Sequence, residues 1–369
     1  MEKPLIFHIH TNPIFLNIGP YFPDDKFENK YILISNNVED IKSERNIQIF
    51  KNEDNDITKL IQKINNASIL VIYDLDPIKV GIVNRIKKSN IIVIWRFFGY
   101  ELYSKIPEIV LSEKSLYYRN MDKKIFLQNL IFGIKKVFNK IIKNDFEEAI
   151  ERINYFICFC FEEYTFLSQY FKLPKFIDSP RTKKISQITN YKKSYSIILG
   201  NNRGIYNNHI DILNNLKNNK EKIPNNVKII MFFNYGPENK YTLAVRDIAK
   251  DIPNVEIIND FLSKEEYNRI YMTSSSLIIN SYRQMAMNNI ITALKNGVKV
   301  YLNPKNCIYS WLLREGFCVF DVNTVIEDIA SSNIILSQSD YQTNICAFDN
   351  LNKKYTVDNF LTQLNLNSI

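Results

Sequence analysis

The strongest constraint on the fold is an alternation of short β-branched runs with longer helical ones along almost the whole chain. In the first half the strand-like runs are Pro4–His10, Tyr31–Ser35, Ile47–Phe50, Ile69–Tyr73, Ile91–Trp95 and Asn154–Phe161. Helical spacing fills Asp56–Asn65, Pro77–Lys88, 121–143 and Glu162–Phe171. The pattern restarts with Tyr195–Leu199, Val227–Phe232, Val255–Ile258, Ser276–Ile279, Val298–Leu302 and Cys318–Phe320. Strands that alternate with helices pair in parallel and are covered on both faces. Two such series in 369 residues exceed one ordinary core and predict two domains. The expected boundaries are 1–173, a linker at 174–193, 194–350, and a C-terminal helix over 351–369 that returns to the first domain. The linker carries two prolines and several lysines without a clear period.

Composition narrows the class. A hydrophobic fraction of 46% with 13% aromatics supplies real cores and excludes global disorder. The five cysteines (Cys158, Cys160, Cys307, Cys318, Cys346) are odd in number and lack a framework spacing. With no signal peptide at Met1–Pro4 they read as reduced cytosolic thiols. Cys158-Phe-Cys160 falls in an apolar run and reads as two buried side chains. Three histidines, none placed to complete a cysteine site, make zinc improbable. No apolar run approaches the ~18 residues that span a bilayer. No recognised nucleic-acid module or arginine-rich groove pattern occurs, so nucleic acid is not an expected partner.

The loops that follow the strands carry the chemistry, because open parallel sheets bind ligands outside their carboxyl ends. The most informative is Gly200–His209 (GNNRGIYNNH), between a strand and the helical run Ile210–Leu216. Backbone N–H groups and a helix N-terminus meet there, which suits a phosphate. It is neither GxGxxG nor a Walker loop. An ordinary strand-to-helix turn is the plain alternative. Only 9 glycines occur in the chain, and Gly99, Gly200, Gly204 and Gly236 all lie in such loops. The other loops are Asp74-Leu-Asp76-Pro77, Arg96–Tyr103, Phe233–Tyr241 and Asn280–Asn289.

The ordered strings GNNRGIYNNH, FNYGPENKY, DFLSKEEYNRIY and NSYRQMAMNN, followed by Ala293–Gly297, resemble the 4-α-L-fucosyltransferase family of N-acetylfucosaminyltransferases. WRFFGYELY at Trp95–Tyr103 is similar to that family's W-x-x-W-G-x-D-L-Y. The likeness spans about residues 91–320. It implies a GT-B architecture, two doubly wound α/β Rossmann-like domains facing a central cleft. It also implies an inverting, metal-independent transfer that needs no cofactor, moving a deoxy-amino sugar such as 4-acetamido-4,6-dideoxygalactose. The implied donor is a dTDP sugar and the acceptor a polyprenyl-diphosphate-linked glycan of surface polysaccharide synthesis. Departures fall at Ala286 and Asn288, where the family motif R-Q-x-G-x-G-N has glycines, at Arg203 and Gly204, and at Glu101, where the family has Asp.

A donor site without a metal must hold a diphosphate with Arg/Lys, hydroxyls and helix N-termini. Arg283 and Gln284, at the expected start of a helix after Asn280, are the candidate contacts, against a plain surface arginine. Gly200, Asn201, Asn202, Asn208 and His209 lie where amides and backbone reach ribose or phosphate, and His209 can equally pack beneath the loop. Tyr235 and Tyr241 are candidates to stack on base or sugar. Asp74-Leu-Asp76 has the D-x-D spacing of a metal site, but Pro77 reads instead as the first residue of an N-capped helix. An inverting transfer needs a general base. Glu101 is the first candidate, with His10 and Asp74 as rivals. A nucleotide-sugar epimerase of the same architecture and a non-catalytic peripheral scaffold are the competing classes.

The formal charge of +8 is uneven. Residues 114–145 hold eight Lys/Arg against two Asp, and 172–193 hold seven against one. Over 121–143, apolar residues at helical spacing alternate with lysines, the pattern of a basic helix that rests on anionic lipid. A core-packed helix with a solvated lysine face is the alternative. With a lipid-linked acceptor, the lipid reading places the protein in the cytoplasm, peripheral on the inner face of the bacterial inner membrane. Each lysine near such a surface contributes about 1 kcal/mol at most, so binding should be reversible. The protein should co-sediment with phosphatidylglycerol vesicles at low salt and detach at high salt, and Lys135/Lys136/Lys140→Glu should weaken it. Indifference to anionic vesicles would leave the helix as core packing.

Overall fold

The computed structural model describes residues 2–16, 22–37, 46–87, 90–121, 145–181 and 192–366. The basic segment 121–143 falls almost wholly outside them, as does much of the expected linker. Two compact units form: Met1–Ser104 with Lys135–Thr182 and Lys354–Ile369, and Lys105–Ile134 with Lys183–Lys353.

The first unit is a seven-stranded sheet in the order β3-β2-β1-β4-β5-β6-β7. Its strands are β1 (Leu5–His10), β2 (Glu28–Ile34), β3 (Ile47–Phe50), β4 (Ile69–Tyr73), β5 (Ile92–Arg96), β6 (Tyr155–Ile157) and β7 (Lys175–Phe176). Every pairing is parallel. All five residues of β4 are buried, as a strand covered on both faces requires. The expected strand Asn154–Phe161 is shorter than its apolar run. It stops at Ile157, the buried Cys158 follows, and Cys160 is the N-cap of the helix Phe161–Ser168. The helix Val357–Gln363 buries Phe360 and Leu361 in this unit's core beside Ile6, Phe22 and Ile94.

The second unit is a six-stranded parallel sheet in the order β10-β9-β8-β11-β12-β13. Its strands are β8 (Ser194–Leu199), β9 (Lys228–Phe232), β10 (Val255–Ile258), β11 (Ser274–Ile279), β12 (Lys299–Leu302) and β13 (Phe320–Asp321). The helix Glu113–Met121, inside the stretch expected to belong to the first domain, is part of this unit. Ser112 N just before it donates to Asn208 Oδ1 (3.0 Å), and Tyr118 packs edge-on to Tyr241.

Chain order reverses between β1 and β4 in one sheet and between β8 and β11 in the other. A ligand crevice opens outside the carboxyl ends of strands at such a reversal. The loops after β4 and β8 that the sequence singles out therefore sit where each sheet is open. In the second unit the turn is tight. Gly200 has φ +70°, and a Cβ there would lie 2.5 Å from Nε2 of the fully buried His209. Burial holds that imidazole down to about 3, so it is neutral. Gly200→Ala should cost about 2–4 kcal/mol, from left-handed strain plus overpacking. Chemical denaturation followed through Trp311, in the second unit's core, in a Trp95→Phe background checks it; an unshifted transition would mean that the loop simply opens.

Candidate active site

At the carboxyl edge of the second sheet, an asparagine pair joins two strand-end loops. Asn208 Nδ2 donates to the Asn280 carbonyl and Asn280 Nδ2 donates to the Asn208 carbonyl, both at 3.2 Å. Asn303 Nδ2, after β12, donates to Asn280 Oδ1 at 2.7 Å. Asn208 is left-handed (φ 50°) and is the N-cap of the helix His209–Asn218. Asn tolerates that conformation better than most residues. Gly200 N donates to the Ile278 carbonyl (2.9 Å), so this loop stays in register with β11.

Asn207 and Asn202 brace the loop interior. Asn207 Nδ2 donates to the Asn202 carbonyl (3.1 Å) and to the Gly204 carbonyl (3.2 Å), and Gly204 N donates to Asn202 Oδ1 (2.7 Å). Tyr235 is 45% exposed and its hydroxyl accepts from Asn201 Nδ2 (3.3 Å) and Asn202 Nδ2 (3.0 Å). Arg203 ties the 233–241 loop to this one, donating to the Gly236 carbonyl (2.6 Å) and pairing with Glu238. Arg246 shares that carboxylate, which both arginines and Thr242 hold below its ordinary range.

Tyr241 and His209 lie beneath the loop, the second of the two places expected for His209. Tyr241 is buried, and its hydroxyl accepts from His209 N at 2.8 Å. Burial pushes that phenol far up, and it serves as a strut beneath the loop. His209 is the imidazole under Gly200, and Asn208 is likewise fully buried. Asn201 is buried with Oδ1 lacking a partner among the described residues.

Arg283 and Gln284 precede a helix rather than start it, since Met287–Lys295 begins after Ala286, its left-handed N-cap (φ 58°). Arg283 N donates to Ser281 Oγ (3.3 Å), and its guanidinium lies 4.5 Å from the centre of the Tyr206 ring and donates to the Gln284 carbonyl (3.2 Å). Lys305, in the loop after β12, lies 4.5 Å from the Tyr282 ring centre. Tyr206, Tyr282 and Lys305 escape a sequence reading, because each signal is one residue in a chain of 22 tyrosines and 47 Lys/Arg.

The first unit's edge is built around buried charge. Asp74 leaves β4 with φ 59°, and Asp76 is the N-cap of the helix Pro77–Arg85, accepting from Lys79 N at 3.0 Å. The capped start expected from Pro77 is thus present. Lys79 is fully buried. Its ammonium donates to Asp74, to the Tyr73 carbonyl (2.7 Å) and to Thr11 Oγ1 (2.8 Å), and it pairs with Asp76 (3.0 Å). The D-x-D spacing here surrounds a lysine ammonium. Burial raises the Asp74 carboxyl against the pull of Lys79. Burial also opposes Lys79 and Thr11 at Asp76, where the partners prevail and the carboxyl falls below its ordinary value.

Glu101 lies on the short helix Tyr100–Tyr103 after β5 and is buried. Its Oε1 accepts from Phe98 N (3.3 Å) and Trp95 Nε1 (3.4 Å), and its Oε2 is buried with no partner among the described residues. Burial, aided by the charge of Asp74, pushes this carboxyl up to about 7 despite those hydrogen bonds. Tyr100 beside it is half-exposed and bonded to Asp74. His10, at the end of β1, is buried and stacked on Tyr73 with ring centres 4.1 Å apart.

No protein-family model and no curated protein matches the chain. Among solved structures it is similar to sucrose-phosphate synthase from Thermosynechococcus elongatus, with 9% identity, 98% of each chain covered and a TM-score of 0.63. It is also similar to the lipopolysaccharide outer core galactosyltransferase WaaB in its apo form, with 8% identity, coverage of 98% and 99%, and a TM-score of 0.59. A third is the E. coli structure described as trehalose-6-phosphate bound with UDP-2-fluoro glucose, with 7% identity, 99% of each chain and a TM-score of 0.57. At such identities the likeness establishes the fold: two Rossmann-like parallel sheets in the GT-B architecture of glycosyltransferases.

Lys79 tests the first unit's edge. Lys79→Met leaves Asp74 buried without its partner and should destabilise by about 3–5 kcal/mol. Adding Asp74→Asn should recover part of that loss in denaturant titrations followed through Trp95. Equal stability of Lys79→Met and wild type would mean that the ion pair contributes nothing net.

Proposed function

We propose that this protein is a glycosyltransferase that takes a sugar from a nucleotide-diphosphate donor held by its second unit. The observation that carries the reading is the edge of the second sheet. There a left-handed Asn208, a left-handed Ala286 at a helix N-terminus and the Arg283 guanidinium gather at the β8/β11 reversal. Helix N-termini and an arginine fork suit a diphosphate and the charge that builds on it as the sugar leaves. A fold-mate bound with UDP-2-fluoro glucose supports a nucleotide-sugar donor. The ordered motifs support the finer reading: a fucose-like deoxy-amino sugar, a dTDP donor, and a polyprenyl-diphosphate-linked glycan acceptor at the membrane surface.

The transfer is read as inverting. Glu101 accepts the acceptor hydroxyl proton, the hydroxyl oxygen bonds to the anomeric carbon, and the bond from that carbon to the donor diphosphate breaks. The diphosphate leaves with the electron pair, against Arg283. A carboxyl near 7 is matched to this task at neutral pH. Asn201, Asn202, Gln284 and the exposed Tyr235 complete the donor contacts, while Gly200, Asn208, His209, Tyr241 and Asn280 hold their loops in shape. Asp74 adds its charge to the burial that raises the proton acceptor.

Two variants test this reading. Arg283→Ala should weaken dTDP or UDP binding by on the order of 2–3 kcal/mol, measured calorimetrically. Wild-type affinity in that variant would remove Arg283 from the donor site. Glu101→Gln should keep donor affinity and lower turnover roughly 10²–10⁴-fold, abolishing the wild-type rise in rate as pH passes about 7. The substitution should also stabilise the fold above neutral pH. The folded carboxyl sits above its ordinary 4.5, so the folded state binds this proton more tightly. Wild-type stability then falls from about pH 4.5 to 7, where the amide does not titrate. Turnover within a few-fold of wild type would pass the base role to His10 or Asp74.

A further inference from the structure

Tyr206 sits in the middle of the GNNRGIYNNH loop, in the single helical turn Ile205–Asn207, and is half-buried. Its ring centre lies 4.5 Å from the guanidinium carbon of Arg283. The two residues come from loops after different strands, β8 and β11, so the contact is tertiary. Little freedom remains on the tyrosine side. Asn207 N and Asn208 N donate to the Gly204 and Ile205 carbonyls at 3.1 Å each, and Asn207 Nδ2 fastens the same turn to Asn202. The asparagine pair Asn208–Asn280 then fixes this turn to the loop that bears Arg283.

We infer that Tyr206 is a positioning residue whose ring holds the Arg283 guanidinium by its face in the orientation that meets the donor diphosphate. The ring's face attracts the cation through its π-system and takes none of its N–H donors, one of which the Gln284 carbonyl accepts. The ring thus orients the cation without competing for the hydrogen bonds an anion would take. A long side chain held in this way loses less freedom on binding. The inference rests on the donor-site reading above and deepens it, because it explains how an arginine in an irregular turn is ordered before ligand arrives.

The test is calorimetric titration of the full chain with UDP and dTDP, and with the matching monophosphates. Tyr206→Phe keeps the ring and should hold diphosphate affinity within about twofold. Tyr206→Leu should lose about threefold to tenfold in diphosphate affinity, the range of a cation–π contact, and less in monophosphate affinity. In an Arg283→Ala background the same change should have no further effect. If Tyr206→Leu fails to fold, 4-cyanophenylalanine at position 206 keeps the ring's shape and withdraws its electrons. It should then weaken diphosphate binding relative to Tyr206→Phe. Unchanged affinity in both the leucine and cyano variants, or an equal loss with and without Arg283, overturns the inference while the donor site stands. A wild-type protein that binds none of these nucleotides overturns the donor site and the inference together.

Discussion

The reciprocal amide pair between Asn208 and Asn280 is the contact on which the second unit's functional edge depends. The chain order of a parallel sheet reverses between β8 and β11, so helices depart from those strands in opposite directions and leave the edge between them uncovered. Backbone groups in such a gap lack ladder partners, and a buried polar group left unpaired costs about 1–3 kcal/mol. Each asparagine satisfies the other's carbonyl through its own side chain, and Asn303 completes Asn280. The loops bearing Tyr206 and Arg283 are thereby held together by side-chain amides, where a sheet would use its ladder.

The first unit solves the same problem with charge. At the β1/β4 reversal a lysine ammonium is surrounded by two carboxylates, a hydroxyl and a backbone carbonyl. A buried ion pair contributes little net stability, but it leaves strongly directional demands on its partners. The demand extends outward. Asp74 is bonded to Tyr100, and its negative charge adds to the burial that raises Glu101. Lys79 in turn bonds Asp74, so the carboxylate whose charge helps raise Glu101 is itself held by a residue on another helix.

How much of this was legible in the sequence follows from which signals are local. Ile69–Tyr73, buried on both faces, is an unbroken apolar run that matches its strand to the residue, and the half-exposed edge strands Ile47–Phe50 and Val255–Ile258 match theirs although Gln48 and Glu256 interrupt them. Local capping chemistry was equally plain, as Asp76 before Pro77 shows. What escaped depends on contacts between distant positions. Lys79 looks like any helix lysine until Thr11 and Asp74 close over it. The helix Glu113–Met121 lies between two first-sheet strands in sequence, yet Ser112 and Tyr118 fasten it to the second unit. Tyr241 looked like a loop aromatic because its partner, His209, lies 32 residues away. Roles in loops were legible as places, and their division into struts and contacts was not, because burial decides it.

Backbone strain argues the same division from another direction. The described residues include five non-glycine positions with positive φ, and three of them, Asp74, Asn208 and Ala286, stand in the strand-end loops of the candidate site. A non-glycine residue in that region gives up roughly 1–2 kcal/mol, with Asn and Asp less penalised than Ala. Asp74 and Asn208 recover it through side-chain bonds to Lys79, Ser112 and Asn280. Ala286 has no polar side chain with which to do so, and it stands where the resembled motif carries a glycine. What holds it is the helix it caps, whose Ile290 N donates to its carbonyl at 2.9 Å, and the Arg283 turn before it. Strain of this kind persists where surrounding structure over-determines the backbone, and such places cluster at ligand clamps. An alanine held in a glycine conformation, beside an arginine placed over a tyrosine ring, is a turn whose shape is fixed more firmly than folding alone requires.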